Sequence, residues 1–334
     1  MTDHNVRSAN TLIWTIGSGG LIGSAINLQS PNPFRAEKIC WNDSTQAFAD
    51  LLNNLKSFTN EIRNRHYTSW AIVWAAGSAT TTSDQLKAES ELKLFVAFLN
   101  ALGNTFRETA ITFPGTFLLI SSAGGIYAGS KNPPFNEATK PHPIGVYGEL
   151  KLAQEIATEE QLKSTSIEIK IARVSNAYGP GQDLTKLQGL ISRLALSTLT
   201  RDPINLFVPL STVRDFIFTS DLAEQIHALL QRQETNNIDQ NNRIRIVASG
   251  SGTSIGQVLR TCQGVFHRKI PTAMGSHPSA GAQAADLRFA SIYSADSGPL
   301  TATPLPVGIK IVFDDVSRRM SMNGASHYID IQRT

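Results

Sequence analysis

The sequence predicts an α/β protein, in which a doubly wound parallel sheet with helices on both faces precedes a smaller C-terminal lobe. Short apolar runs alternate with amphipathic helical patterns, a glycine-rich turn follows the first run, and this rhythm stops after Gly181. Strands that alternate with helices are typical of a parallel sheet covered on both faces. We expect residues 1–180 to form the first domain, with a strand and a helix around 205–232 returning to it. Residues 181–334 are expected to form mainly the smaller lobe.

Composition excludes several classes of protein. The 334 residues are 41% hydrophobic and 17% charged, as in a soluble globular protein, and a net charge of +3 argues against a nucleic-acid or membrane partner. Cys40 and Cys262 are far apart in sequence, which argues against a disulfide framework or a metal site. Residues 1–10 lack an apolar signal core, and no apolar run approaches the ~18 residues that a membrane span needs. The sequence therefore predicts a cytoplasmic protein.

The individual elements follow from apolar periodicity and capping residues. Buried strands of the main sheet are predicted at 12–16, 37–41, 71–76, 116–120 and 167–174, and shorter strands at 205–208, 216–218 and 243–247. Ser44 is a candidate cap for a helix whose apolar face carries Phe48, Leu51, Leu52, Leu55 and Phe58, and Asp84 is a candidate cap for the next helix. A further helix is predicted over 147–162.

The glycines of the first turn are spaced as G-x-x-G-x-x-G, at Gly17, Gly20 and Gly23. In such a turn the first glycine permits the tight bend, the second lets backbone approach a pyrophosphate, and the third lets the helix pack on the strand. Leu21 and Ile22 fall in the first turn of that helix, whose free N–H groups favour phosphate. The spacing is a weak signal alone, but between a strand and a helix it predicts a Rossmann-type dinucleotide site.

The choice between NAD and NADP depends on the end of the predicted second strand. An acidic residue there binds the ribose 2′-hydroxyl and repels a 2′-phosphate. Asp43 stands at that place, and no arginine lies beside it. The sequence therefore favours NAD and leaves NADP open. The alternative is that Asp43 only caps the following helix.

Tyr147 and Lys151 are four residues apart, which places them on one face of the predicted helix, one turn from each other. A lysine ammonium beside a phenol favours the phenolate, and such a tyrosine can take or return the proton of an alcohol. Ser122, at the end of the preceding strand, is the candidate hydroxyl that orients the reacting oxygen, with Ser121 as the alternative. The three candidates predict acid/base chemistry beside a bound nicotinamide.

Six segments together resemble a known family. They are G-S-G-G-L-I-G (17–23), W-A-A-G (74–77), S-S-A-G-G-I-Y (121–127), Y-G-E-L-K (147–151), R-V-S-N-A-Y-G-P-G (173–181) and R-D-F-I-F-T-S-D-L-A (214–223). In this order the chain resembles the extended short-chain dehydrogenases/reductases, in particular the NAD-dependent nucleotide-sugar epimerase and dehydratase group.

This resemblance implies further roles. Ala75, Ala76 and Gly77 are expected beside the cofactor, Asn176 beside the substrate, and Arg214 at the diphosphate of a nucleotide sugar, for which its guanidinium fork is suited. No metal is implied. The resemblance also implies a homodimer, built on the helices near 92–102 and 147–162. Phe95, Phe98 and Leu99 either supply apolar surface to that interface or face the sheet.

Four departures from the family pattern narrow these expectations. Gly124 and Gly125 stand where dehydratases carry an acidic pair, so elimination of water is disfavoured. Glu91 stands where an asparagine is frequent. Only one long helix fits between Ser44 and Trp70, where the family usually has another strand. The second diphosphate-binding arginine is missing before Asp286, and Arg288 is the candidate substitute.

Three functions remain open from the sequence. The first is an NAD(P)-dependent nucleotide-sugar epimerase or 4-ketoreductase, with hydride transfer at a sugar carbon and Tyr147 as acid/base. The second is a non-catalytic dinucleotide-binding sensor or scaffold, because a fold alone does not fix function. The third is a reductase of a smaller carbonyl substrate.

Overall fold

The computed structural model describes residues 10–64, 67–80, 83–108, 111, 113–186, 188–232, 243–275, 284–293 and 302–323. Its strands are β1 (Thr11–Ile16), β2 (Ser69–Trp74), β3 (Gly115–Ser122), β4 (Glu168–Val174), β5 (Asn176–Tyr178), β6 (Ile204–Leu206), β7 (Val213–Phe218), β8 (Ile244–Val247), β9 (Gly252–Ser254), β10 (Thr272–Met274) and β11 (Asp286–Leu287). Its helices are α1 (Leu21–Gln29), α2 (Ser44–Asn64), α3 (Gln85–Glu108), α4 (Ala123–Ile126), α5 (Val146–Leu162), α6 (Leu190–Thr200), α7 (Thr219–Gln231), α8 (Ile255–Phe266) and α9 (Leu305–Asn323).

The main sheet is parallel, and its strands follow the order β1-β2-β3-β4-β8. Helices α2, α3 and α5 cover one face, where Trp14, Phe58 and Phe98 are fully buried. Helices α1 and α7 cover the other face, around Ile26 and Ile226. The predicted doubly wound parallel sheet is thereby confirmed, and each apolar face is buried between strand and helix as this architecture requires.

The predicted strand over 37–41 is wrong, since residues 35–40 have no regular secondary structure. Helix α2 supplies their hydrogen bonds instead. The Asn54 side chain accepts from Glu37 N at 2.7 Å and donates to Glu37 O at 3.1 Å, and Asp50 accepts from Cys40 N. Because side chains satisfy this backbone, it does not need a neighbouring strand, and β1 forms the edge of the sheet.

The cap of α2 also differs from the prediction. Asp43, not Ser44, accepts the free N–H groups of the first turn, at 2.8 Å from Thr45 N and 3.0 Å from Gln46 N. The predicted cap of α3 is confirmed, because Asp84 accepts from Lys87 N at 2.9 Å. Helix α5 matches the helix predicted over 147–162.

Two elements beyond residue 181 join the main sheet. Helix α7 packs on α1, and His227 Nε2 forms a hydrogen bond with Ile26 O at 3.0 Å. Strand β8 pairs with β4, although the sequence had placed its residues in the lobe. Strand β7, expected to return to the main sheet, instead pairs with β5, β9 and β11. The domain boundary near residue 180 stays a prediction.

The remaining helices form a second core. Helices α6, α8 and α9 meet around Ile191, Val258 and Ile309. None of the helices in the described ranges has the length and apolarity to cross a bilayer. On α3, the side chains of Phe95, Phe98 and Leu99 are all fully buried against the sheet, which decides between the two alternatives for these residues.

Candidate active site

Gly17 makes the turn after β1 and tolerates no side chain. Its φ of +92° lies in the left-handed region that favours glycine, and a Cβ there would stand 2.6 Å from Ala76 N. Gly20 N closes the turn by donating to Gly17 O at 3.0 Å. The close approach of the two backbones brings the end of β1 against the residues that follow β2.

Gly23 lets α1 begin directly against this turn, since a Cβ at Gly23 would stand 2.2 Å from Gly17 O. Gly20 is the N-cap residue and makes no side-chain cap. The N–H groups of the first helical turn, at Leu21 and Ile22, therefore have no acceptor within the helix. A helix start of this kind attracts an anion.

A cleft of about 630 Å³ runs from the glycine turn along the carboxyl ends of the main strands. The predicted site residues that line it are Gly20, Leu21, Ile22, Ala75, Ala76, Gly77, Ser122, Tyr147, Lys151, Asn176 and Arg214. Gly17 and Gly23 shape the turn from behind. Asp43 is not among the residues that line this cleft, and its carboxylate caps α2.

Ser122 ends β3 and caps α4, where its Oγ accepts from Gly125 N at 3.1 Å. Because the hydroxyl accepts in this bond, its O–H can still donate into the cleft. Ser121 is used elsewhere, since its Oγ donates to buried Glu155 at 2.6 Å. The same carboxylate pairs with Arg173 at 2.6 Å. Of the two serines, Ser122 has the free donor.

Two glycines bring Tyr147 next to the turn that Ser122 caps. A Cβ at Gly125 would stand 3.1 Å from Tyr147 Cδ1, and one at Gly148 would stand 2.3 Å from Gly125 O. Helices α4 and α5 can therefore meet backbone to backbone. In the sequence, Gly124 and Gly125 indicate only the loss of an acidic pair, and this steric role was not predicted.

Lys151 is buried on α5, one turn after Tyr147, and its Nζ lies 5.9 Å from the centroid of the tyrosine ring. The ammonium donates to Gln154 Oε1 at 2.9 Å. Gln154 Nε2 in turn donates to Glu91 Oε1 at 3.3 Å. Sequence reasoning missed Gln154, although its spacing of three from Lys151 places both residues on one helix face.

Asn176 and Arg214 lie at the far end of the cleft. Asn176 Nδ2 donates to Asp215 O at 2.9 Å, and Arg214 Nη1 donates to Val213 O at 2.8 Å. Burial lowers the pKa of Arg214 to about 10, although the negative charge of Asp286 raises this pKa in part. Both residues also border a second, smaller cleft of about 310 Å³, whose lining includes Arg193, Phe207, Phe216 and Ile255.

Arg288 is not a second cation of the cleft. Its Nη2 pairs with Asp286 at 2.8 Å, its side chain is exposed, and it is absent from the lining of both clefts. The expected substitution by Arg288 is therefore not supported. Among the described residues, no group of three or more His, Cys, Asp or Glu side chains is arranged to hold a metal ion.

The sheet, the glycine turn and the cleft define a Rossmann-type α/β protein with its functional groups at the carboxyl ends of the strands. The chain belongs to the NAD dependent epimerase/dehydratase family, whose model matches residues 31–244. The matched segment begins after the glycine turn and includes Ser122, Tyr147, Lys151 and Arg214.

Curated relatives include both epimerases and reductases. The chain is 31% identical over 168 residues to dTDP-L-rhamnose 4-epimerase of Burkholderia thailandensis, which covers 49% of this chain and 40% of that protein. It is 28% identical over 158 residues to dTDP-4-dehydro-6-deoxyglucose reductase of Escherichia coli, which covers 46% of each. The chain thus spans less than half the length of these relatives.

Among solved structures, the fold is similar to that of UDP-glucuronic acid 4-epimerase from Bacillus cereus in complex with UDP-glucuronic acid and NAD. The TM-score is 0.68 at 18% identity, and the match covers 92% of this chain and 99% of that chain. At this identity the likeness establishes the fold.

Proposed function

We propose that this protein is an NAD(P)-dependent enzyme that transfers hydride at a sugar carbon of a nucleotide sugar, as an epimerase or a 4-ketoreductase. The observation that carries the proposal is that Ser122, Tyr147 and the first turn of α1 border one continuous cleft. Both curated relatives carry out chemistry of this class by their names.

The residues present fit a dinucleotide. A Cβ at Gly17 or Gly23 would meet backbone atoms at 2.6 Å or less, so the turn can form only with glycines at these positions. Gly20, Leu21 and Ile22 would hold the pyrophosphate at the start of α1. Ala75, Ala76 and Gly77 would lie against the rest of the cofactor. The nicotinamide, when bound, accepts or donates the hydride.

The acid/base chemistry falls to three side chains. Ser122 would donate its hydroxyl hydrogen to the reacting oxygen of the sugar and so fix its orientation. Tyr147 would remove the proton of the sugar hydroxyl at its phenolic oxygen, or return it to the carbonyl oxygen. The Lys151 ammonium lies 5.9 Å from the centroid of the Tyr147 ring and places a positive charge beside this acid/base group.

The far end of the cleft supports a nucleotide-linked substrate. Arg214 and Asn176 stand where the main cleft meets the smaller one, and a guanidinium suits a diphosphate. Aromatic walls at Phe207 and Phe216 suit a flat base. The Bacillus cereus structure holds UDP-glucuronic acid in the same fold. A reductase of a small carbonyl would need neither Arg214 nor the second cleft.

A sensor or scaffold is the less favoured candidate, because it would need none of Ser122, Tyr147 and Lys151 in one cleft. NAD is proposed over NADP because the matching family is NAD dependent and no arginine lies beside position 43 in the sequence, with NADP as the alternative. The homodimer and the cytoplasmic location stay predictions.

The test is a panel of UDP-, GDP-, dTDP- and CDP-sugars, incubated with and without added NAD(P)H and followed by product mass and stereochemistry. An inverted sugar without added NADH indicates an epimerase, and consumption of NAD(P)H indicates a reductase. Tyr147→Phe is expected to lower turnover by about 10²- to 10⁴-fold with NAD affinity retained. Unchanged turnover of every converted sugar in this variant would contradict the proposal.

A further inference from the structure

Beneath the floor of the main cleft, three side chains form a chain of hydrogen bonds between α3 and α5. Lys151 Nζ donates to Gln154 Oε1 at 2.9 Å, and Gln154 Nε2 donates to Glu91 Oε1 at 3.3 Å. We call this set the Lys151–Gln154–Glu91 chain. It begins at the ammonium group of Lys151 and ends at the carboxylate of Glu91.

The carboxylate also fixes the loop that follows β2. Glu91 Oε2 accepts from Ser78 N at 2.8 Å and from Ala79 N at 2.9 Å. Gly77 packs against both ends of the Lys151–Gln154–Glu91 chain, because a Cβ at Gly77 would stand 3.0 Å from Glu91 Oε1 and 3.6 Å from Lys151 Nζ. The loop expected to touch the cofactor and the lysine are thus tied through one carboxylate.

The hydrogen bonds of the Lys151–Gln154–Glu91 chain can run in only one direction, from donor to acceptor. An ionised carboxylate only accepts hydrogen bonds, so the amide NH₂ of Gln154 must face Glu91. The amide oxygen must then face Lys151, whose ammonium only donates. Glu91 therefore determines which atom of Gln154 meets the lysine, although it does not touch the lysine itself.

Burial makes this arrangement demanding. Gln154 is fully buried and Lys151 is 7% exposed, and within the described part of the chain Gln154 is the one hydrogen-bond acceptor of Nζ. A buried ammonium or amide that loses its partner is strongly penalised. The position of the ammonium is accordingly sensitive to the polarity of the chain.

We propose that Glu91 and Gln154 are positioning residues for Lys151, which fix its ammonium relative to Tyr147 and to loop 77–79. This inference rests on the proposed function, because that function gives Lys151 its role. The competing explanation is that the two residues only tie α3 to α5, in which case they matter to stability and not to turnover.

The decisive variant is Glu91→Gln, which keeps the size of the side chain and reverses one contact. In this variant the amide oxygen at position 91 must accept from Ser78 N and Ala79 N. The NH₂ group at position 91 then faces the NH₂ group of Gln154, and both groups are donors. If the Gln154 amide rotates by 180°, its oxygen accepts from position 91, but its NH₂ group then faces the Lys151 ammonium. In either case one bond of the chain is lost, and we expect turnover to fall at least about tenfold with the KM for the sugar nucleotide little changed.

The swap Glu91→Gln/Gln154→Glu restores the polarity at the same net charge. The new glutamine at position 91 donates to the new carboxylate at position 154, which accepts from Lys151. We expect the swap to recover most of the lost turnover. Gln154→Met, which leaves the contacts of Glu91 with the loop intact, is expected to lose turnover like Glu91→Gln and serves if that variant does not fold.

The matched control is Glu89→Gln on the same helix. Glu89 accepts from the Gln85 amide at 3.1 Å in an exposed carboxylate–amide contact away from Lys151. Turnover of this variant should equal that of the wild type.

A second readout needs no turnover. Calorimetric titration of NAD into each variant, without sugar, should give an affinity about threefold or more weaker in Glu91→Gln and restored in the swap.

The results separate the two proposals. If the wild type neither binds NAD nor converts any sugar nucleotide, the proposed function fails and the inference fails with it. If the wild type does both and Glu91→Gln behaves like Glu89→Gln, only the inference is overturned. A lower melting temperature without loss of turnover, or a swap that performs no better than Glu91→Gln, also overturns it.

Discussion

Gly148 stands so close to Gly125 that a Cβ on Gly148 would lie 2.3 Å from the Gly125 carbonyl oxygen. This contact sets the start of α5 against the turn capped by Ser122 and thereby sets the position of Tyr147. Neither glycine has a side chain that could react, yet the pair determines the distance between the two proposed catalytic groups, Ser122 and Tyr147.

Gly148→Ala should therefore separate α4 from α5. We expect a loss of about 1–3 kcal/mol in the free energy of unfolding, because overpacking moves backbone, and a fall in turnover that exceeds the fall in NAD affinity. Denaturant titration and steady-state kinetics check both. Gly264→Ala is the control, since this position of α8 is exposed, lies outside both clefts and has nothing within 4 Å of its Cβ position. Equal turnover in the two variants would contradict the steric role.

Gly17→Ala should abolish the dinucleotide turn. The new Cβ would meet Ala76 N at 2.6 Å in a backbone conformation that strains an alanine, so NAD binding and stability should both be lost. Gly264→Ala, at an exposed position of α8 with nothing within 4 Å of its Cβ position and outside both clefts, should bind NAD like the wild type. Calorimetry with NAD compares them, and tight binding by Gly17→Ala would reject the assignment of the turn.

The two serines at the end of β3 should respond differently. Ser122→Ala removes both the hydroxyl that faces the cleft and the cap of α4, and we expect turnover to fall about 10²-fold with a loss of about 1 kcal/mol in stability. Ser121→Ala leaves buried Glu155 without one donor, so it should cost about 1 kcal/mol of stability and leave turnover near the wild-type value. Kinetics and melting curves of both variants decide. The reverse pattern would make Ser121 the catalytic serine.

Arg214 and Arg288 should differ in substrate binding. Arg214→Met removes the cation that borders both clefts, and we expect the KM for the nucleotide sugar to rise about tenfold or more. Arg288→Met only breaks an exposed pair with Asp286, and its KM should stay within about twofold of the wild type. A larger effect of Arg288→Met would return Arg288 to the site.

His227 should make stability depend on pH. Burial lowers the pKa of His227 below its ordinary 6.5, although its bond to Ile26 O opposes this shift. The unfolded chain therefore binds the proton more readily, so stability is full above pH 6.5 and is lost progressively as the pH falls from 6.5 through the lower pKa of the folded state. Denaturant titrations at several pH values should show a smaller acid loss in His227→Gln than in the wild type. If the free energy of unfolding falls equally with pH in the wild type and in His227→Gln, His227 is excluded as the cause of the acid loss.

Much of the site could be predicted because its signals are local. The spacing of Gly17, Gly20 and Gly23 specifies a turn through the backbone of a few residues, and the spacing of Tyr147 and Lys151 places them on one helix face whatever packs around it. These residues border the cleft, or shape it, as expected.

The predictions that differ from the structure concern residues for which the sequence offered more than one hydrogen-bond partner; for Asp43 the capping alternative is the one observed, and its contact with the ribose stays a prediction. Residues 37–41 have the pattern of a strand, but Asn54 and Asp50 of α2 take their hydrogen bonds. The Asp43 carboxylate caps α2, and Arg288 pairs with Asp286. The partners of Asp43 and Arg288 lie within three residues of them along the chain, whereas those of residues 37–41 come from a separate helix.

The sequence by itself determined the parallel α/β architecture, the glycine turn and the Tyr147–Lys151 helix, because strand and helix periods and glycine conformations are properties of short segments. The tertiary structure alone decided that Ser122 rather than Ser121 keeps a free hydroxyl, that Glu91 of α3 meets Gln154 of α5, and that β8 completes the sheet. A hydrogen-bond partner or a strand neighbour is chosen by proximity in space, which the order of residues along one segment does not contain.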